Sequence, residues 1–271
     1  MSESAPPVGS VSLRCEGGVA QITLSRHRRH NALDLSMWRQ LAERVEEARA
    51  LSPRALIVVG DGPHFCAGMD LKPDNPVAQR ALAAILEADA GAARGIIEEL
   101  KGYLTGLATF PAPTIAAIEG SCVGGGYELA LCCDVLIAAS DARMGLPEVR
   151  IGMIPDLGGT SRLARRIGPG RAALVICGGE TFSGDEALGL GLCDRLVPHG
   201  SALSEAQALA GQISRGGPQA VGIALGLLRQ GVTAPLDEAL RAETEGGVAA
   251  LVSGEPVEGL SAFAEKRSPR W

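Results

Sequence analysis

Hydrophobic and polar positions change period several times along this 271-residue chain, and the changes mark its elements. Residues 11–15 and 19–24 alternate around Glu16-Gly17-Gly18, which predicts a β-hairpin. A helical period follows over residues 37–50. Trp38, Leu41, Ala42, Val45 and Ala48 fall on one face, Glu43, Glu46 and Glu47 fall elsewhere, and Asp34 or Ser36 can cap the start. Residues 55–59 (ALIVV) are continuously apolar, the pattern of a strand buried on both faces, and residues 60–72 read as a loop. A long Ala-rich helical region spans residues 76–108 and is broken by Phe110-Pro111-Ala112-Pro113. Residues 114–118 and 135–139 read as two more buried strands. Between them lie Gly124-Gly125-Gly126 and the helix start Tyr127-Glu128-Leu129-Ala130-Leu131. Beyond Thr160 the pattern is helical, over residues 161–167, 171–177, 183–188, 202–213, 219–229, 236–251 and 257–266. Strands alternate with helices first and helices dominate last. The expectation is an α/β core over residues 1–200 and a helical C-terminal region over 201–271.

Composition narrows the classes. With 46% hydrophobic and 21% charged residues the chain has the make-up of a folded, enzyme-like protein. A net charge of -6 gives no electrostatic case for nucleic acid or an anionic membrane. The longest apolar runs are of strand length, short of the roughly 20 residues that span a bilayer. The N-terminal MSESAPPVGS lacks the basic and apolar regions of a signal peptide, so the default compartment is the cytosol. Seven cysteines, at 15, 66, 122, 132, 133, 177 and 193, are odd in number and scattered; buried free thiols are expected rather than a disulfide framework. No Cys/His spacing resembles a zinc site, and no metal is expected.

Two strand ends lead into glycine-containing loops. One runs through His64-Phe65-Cys66-Ala67-Gly68-Met69-Asp70, the other through Gly124-Gly125-Gly126. Ligands of open α/β sheets sit beyond strand carboxyl ends, and one N–H from each loop could converge on a single carbonyl oxygen. Taken singly, each loop also reads as an ordinary strand-to-helix turn. Glu128 lies in a first helical turn, where acids also stabilise the dipole. Glu148 follows Pro147, and Asp156 could cap a helix beginning near Leu157. Amide donors among carboxylates suit chemistry in which an oxygen becomes negative while protons move. Dinucleotide, phosphate-loop, nucleophile-elbow and zinc-protease motifs are all missing. Residues 26–30, with three Arg and two His, read as a solvated turn. Cys66 and Cys122 lie beside the donor loops, but no His is spaced to activate either, and small buried thiols are the expectation.

Six stretches in order carry a family resemblance: LSRHRRHNALD, HFCAGMDL, IEGSCVGGGYELALCCD, LPEVRIGMIPDLGGTSRL, FSGDEALGLGLCDRLV and the ending EGLSAFAEKRSPRW. Together they resemble the enoyl-CoA hydratase/isomerase (crotonase) superfamily over nearly the whole chain. The resemblance implies a crotonase-like α/β fold, a repeated ββα spiral core with a second small sheet, and C-terminal helices that trimerise, as a homotrimer or hexamer. It implies an acyl-CoA thioester as ligand, with coenzyme A part of the substrate and no separate cofactor. The N–H groups of Met69 and Gly125 would bind the thioester carbonyl. Glu148 would exchange a proton with the α-carbon, and Glu128 would activate the water that adds at the β-carbon. Typical hydratases have Gly where this chain has Asp156. Isomerases of the superfamily can place an Asp there, so capping and catalysis both stay open. The resemblance also implies substrate or CoA contacts from Arg28, Arg29, Ala67, Gly68, Asp70, Lys72 and Gly124, and from Phe263 and Lys266 of a neighbouring subunit. Alternatives are an enoyl- or dienoyl-CoA isomerase using Glu148 and Asp156, or a weakly catalytic acyl-CoA- or RNA-binding relative.

Overall fold

Alternation along the first two strands buries every second side chain of β2 (Val19–Ser25), which pairs antiparallel with β1 (Ser10–Glu16) in a computed structural model that describes residues 9–271. The start of the stretch read for a leader, residues 1–8, lies outside the described residues. Helix α1 (Leu35–Ala50) is capped by Asp34, whose carboxylate accepts the Met37 N–H at 2.9 Å. Its buried face is Met37, Trp38, Leu41, Val45 and Ala48, as the period requires. Strand β3 (Ala55–Gly60) is buried over its first five residues and runs parallel to β2.

Residues 76–108 form two helices, not one long run: α2 (Pro76–Leu86) and α3 (Ala90–Ala108). The break has a local cause. Ala88 is left-handed at φ 51°, and the Asp89 carboxylate accepts the N–H groups of Gly91 and Ala92 at 2.8 and 2.9 Å. A capping Asp starts the second helix while the alanines carry the apolar period across the turn.

Strand β4 (Thr114–Ile118), β5 (Ser121–Val123), α4 (Gly125–Ala130), β6 (Val135–Ala139) and β7 (Arg143–Gly145) follow, then a 3-10 turn (Glu148–Ile151). Beyond it come α5 (Gly159–Ile167), α6 (Pro169–Gly178), β8 (Thr181–Ser183), α7 (Gly184–Leu190) and β9 (Arg195–Val197). The six-stranded sheet has the order β1-β2-β3-β4-β6-β9, parallel except for the first hairpin, and β5-β7-β8 form the small second sheet. Strands β5, β7, β8 and β9 escape the hydrophobic pattern because three residues are too few to display a period.

Helix α8 (Ala202–Ile213) packs Ala202, Ala206 and Ala210 on Ile57, Ile115 and Ile137 of the large sheet, so the first helix of the C-terminal region covers one face of the core. Helices α9 (Pro218–Gly231), α10 (Leu236–Leu251) and α11 (Glu255–Ala264) extend from it, and α10 has no buried residue. Arg229 ties α9 back to the core, with Nε and Nη2 donating to Asp134 at 2.8 and 2.7 Å. All seven cysteines are free; five are buried, while Cys15 and Cys177 are exposed. No helix among the described residues is long and apolar enough to cross a membrane.

Candidate active site

The two glycine loops meet through backbone pairing that no local pattern encodes. Cys66 donates its N–H to Ser121 O at 2.9 Å and accepts the Val123 N–H at 3.2 Å, so the first loop runs beside β5 like an extra strand. Cys66 is therefore structural. Its thiol is buried, receives the Gly68 N–H at 3.4 Å, and is pushed up by burial to about 12. The Cys122 thiol is raised well above its usual range, again by burial. Neither is a nucleophile at neutral pH.

Three residues further on, Leu33 forms a bridge with Met69 by donating to Gly68 O at 2.8 Å and accepting the Asp70 N–H at 3.0 Å. That pairing uses the groups on either side of Met69 and leaves the Met69 N–H facing away. Among the described residues the Met69 and Gly125 N–H groups have no protein acceptor. They are neighbours. A Cβ on Gly125 would lie 3.5 Å from the Met69 nitrogen, and one on Gly68 3.0 Å from the Gly125 nitrogen. Gly68 also sits at φ 89°, so this position needs glycine twice over, for the dihedral and for the space.

The first loop is held from below by a buried ion pair. Arg26, expected in a solvated turn, is 7% exposed; its Nη1 donates to Asp70 Oδ2 at 2.7 Å and to Ala32 O at 3.0 Å, and Nη2 lies 3.4 Å from Asp34. Asn31, buried and left-handed at φ 55°, accepts the Arg26 N–H and donates to Asp61 O and His64 O. The carboxylate of Asp70, expected to contact the ligand, is thus engaged by Arg26 and fixes the loop instead. Arg26 and Asn31 were not singled out by sequence, although Asn is the non-Gly residue most at ease in such a conformation.

Three carboxylates face this region. Glu128, on α4, is 2% exposed, and its Oε1 accepts the N–H of Gly159, the first residue of α5, at 2.7 Å. It therefore sits at the positive end of a second helix as well as in the first turn of its own. Burial pushes its carboxyl from an ordinary 4.5 to about 8; the Gly159 N–H opposes this, and Glu148 and Asp156 add to it. Glu148 opens the 3-10 turn, with Oε2 enclosed and lacking any hydrogen-bond partner. Burial raises its carboxyl, as does Asp156, while its own N–H works against them. Asp156 is not a helix cap: α5 begins at Gly159 with Gly158 as its cap, and no side-chain cap bond is made. Burial raises its carboxyl, and Lys101 lowers it.

Ala67, Gly68, Met69, Gly124, Gly125, Glu128, Glu148 and Asp156 all line one cavity of about 750 Å³. Arg28, Arg29, Lys72, Phe263 and Lys266 do not line it. Arg28 and Lys72 are exposed, Arg29 leans on Asp74 at 3.4 Å, and Phe263 is 84% exposed on α11. The remaining walls are apolar and come largely from α2 and α3, the Ala-rich helical region of residues 76–108.

An α/β core with a small second sheet thus brings two N–H groups without protein acceptors and three carboxylates to one cavity. The chain belongs to the enoyl-CoA hydratase/isomerase family, whose profile matches residues 14–271. It is 34% identical to a 2,3-dehydroadipyl-CoA hydratase of Escherichia coli, over 93% of this chain and 94% of that protein. It is 35% identical to an enoyl-CoA isomerase/hydratase of Zymoseptoria tritici, over 97% and 86%. The crystal structure of an enoyl-CoA hydratase from Bacillus anthracis superposes with a TM-score of 0.87 at 33% identity, covering 97% of this chain and 98% of that one.

Proposed function

We propose that this protein is an enoyl-CoA hydratase that adds water across the 2,3 double bond of an enoyl-CoA thioester. The observation that carries the reading is the meeting of two acceptor-less N–H groups, Met69 and Gly125, with two unequal carboxylates in one apolar cavity. The thioester oxygen would accept both N–H groups. As the enolate forms, its charge grows against donors already in place, each typically contributing roughly 10²–10³ in rate. In hydration Glu128 takes a proton from water, the water oxygen bonds to the β-carbon, and the double-bond electrons move to the α-carbon, which takes a proton from Glu148.

The pair then needs one proton shared between two carboxylates, and their unequal environments supply it. Glu128, pushed up by burial to about 8, is the member of the pair whose surroundings favour the proton at neutral pH. A proton on Glu128 is the starting state of the reverse reaction, in which Glu148 removes the α-proton of a 3-hydroxyacyl thioester and Glu128 protonates the departing hydroxyl. Hydration starts from the tautomer with the proton on Glu148, so both directions use one protonation level.

Asp156 favours a second reading. It is not spent as a cap and lines the same cavity, so Glu148 and Asp156 could instead move a proton along the acyl chain in a double-bond isomerisation. Incubation with a 2-enoyl-, a 3-enoyl- and a conjugated dienoyl-CoA, with products identified by mass, separates the two. Gain of one water supports hydration, and a moved double bond at unchanged mass supports isomerisation; no turnover of any of them removes both. Asp156→Gly is expected to keep hydration and abolish any isomerisation.

Substrate is expected to be held in a trimer or hexamer formed through the helices after α8, with Arg28, Arg29 and Lys72 near the CoA phosphates and Phe263 and Lys266 reaching a neighbouring subunit's ligand. The cytosol remains the expected compartment.

A further inference from the structure

The turn that carries Asp156 is gripped on both sides by side chains of the helix it leads into. Thr160 Oγ1 donates to Pro155 O at 2.8 Å, and Arg162 Nη1 donates to Leu157 O at 3.0 Å. The carbonyls flanking Asp156 are thus each held from the start of α5. Arg162 is at the wrong end of that helix for a cation. Positive side chains are favoured near a helix C-terminus, where Arg165 and Arg166 of α5 do lie, and disfavoured near the N-terminus. Arg162 is the fourth residue of α5, and its side chain turns back to the Leu157 carbonyl, not to an acid. The backbone makes room for it. Gly158 sits at φ 119°, and a Cβ there would collide with the guanidinium.

What this grip holds in place is the partner of Glu128. Gly159, next after Gly158, donates its N–H to Glu128 Oε1 at 2.7 Å. Burial pushes the Glu128 carboxyl up to about 8, and the N–H groups of Gly159 and Leu157 work against that rise. Leu157 is the residue whose carbonyl Arg162 holds, and Gly159 follows it by two. Cys132, whose thiol burial raises to about 11 and Arg162 lowers, donates to Glu128 O at 3.4 Å, so the guanidinium lies on the Glu128 side of the turn. Arg162 does not itself line the cavity.

We propose that Arg162 is a positioning residue for this site: by holding the Leu157 carbonyl it fixes the turn over residues 156–159, which presents the Gly159 N–H to Glu128 and aims Asp156 into the cavity. It acts through the backbone and touches no reacting atom. The inference rests on the reading of Glu128 as the group that exchanges a proton with water.

Arg162→Met keeps the apolar stem of the side chain and removes every donor. On a 2-enoyl-CoA its kcat is expected to fall about ten-fold or more, the loss of one hydrogen bond from a charged group, at nearly unchanged KM. The alkaline limb of kcat/KM should also move from about 8 to higher pH, because a carboxyl that loses an N–H donor holds its proton more tightly. Arg162→Lys, which keeps the charge and a donor, should bring the limb back and restore most of the rate. Gly158→Ala displaces the guanidinium from the other side and should reproduce the shift, so it reads the same contact if Arg162→Met does not fold. A merely structural arginine would lower the melting temperature and leave the limb where it was; that result in the folded variant overturns the proposal. A carboxyl-carbon NMR titration of Glu128, assigned by the signal missing from Glu128→Gln, reads the same shift without turnover. If no enoyl-CoA is hydrated yet that titration moves up in Arg162→Met, the hydratase reading falls and this one stands. A Glu128 titration that does not move overturns this one, whatever the rate.

Discussion

Burial lifts the Glu128 carboxyl to about 8, where an ordinary carboxylate would already have lost its proton, and both rate and stability should register it. Because hydration and dehydration each need one proton on the Glu128–Glu148 pair, kcat/KM is expected to fall as pH rises through about 8, where that proton is lost. A rate profile flat from about pH 7 to 10 would contradict the assignment. Glu148→Gln should lower kcat by about 10²–10⁴, leaving acyl-CoA binding intact in titrations. The folded chain also binds the Glu128 proton more tightly than the unfolded chain does. Its contribution to stability is fully present below about pH 4.5 and is lost as pH rises through about 8. Urea melts of Glu128→Gln should therefore lose less stability than the parent between about pH 5 and 9.

Elements meet at this site through short tertiary pairings. The loop bearing Met69 is registered on β5 by Cys66 and on the chain after the hairpin by Leu33, with Arg26 and Asp70 locked beneath it. Gly68→Ala would press a methyl group to within 3.0 Å of the Gly125 nitrogen and force φ 89° on an alanine. The expected result is a loss of about 10²–10³ in kcat, the size of one missing oxyanion donor, with the melting temperature lowered by only a few degrees. Elsewhere the helical period was legible and its interruption was not. The apolar rhythm of residues 76–108 passes over Ala88 and Asp89, yet the turn there makes the hairpin that walls the cavity. Asp156 is the converse case: its setting suited a cap, and the chain starts α5 at Gly159 without it.

At the scale of the whole molecule, helices α9–α11 leave Leu228, Leu236, Leu251, Val252, Val257, Leu260 and Phe263 between 70% and 84% exposed. Large apolar side chains gathered on three consecutive helices are what a surface covered by a partner would present. Light scattering is expected to give a trimer or a multiple of it, and Leu260→Asp with Phe263→Asp should shift the mass toward the monomer. Mass unchanged in that variant would place the subunit contact elsewhere.

Local chemistry by itself determined the order and type of the long elements, the two glycine loops, the three acids and the family, because period, capping and motif order act over a few residues at a time. Val58, Ile115 and Ala116 announce buried strands in any context, and HFCAGMDL and the stretch around Gly125 are distinctive as strings. Tertiary structure alone decided which N–H groups lack acceptors, that Arg26 is an interior ion pair and not a surface charge, and that Asp156 faces a cavity. It also decided that the Glu128 carboxyl meets the start of α5, thirty-one residues away in the chain. Those facts depend on desolvation and on contacts between segments tens of residues apart, and neither is a property of a residue or its neighbours. The physical reason is the same in each case: burial sets the proton affinity and the pairing of a polar group, and burial exists only once the chain has closed on itself.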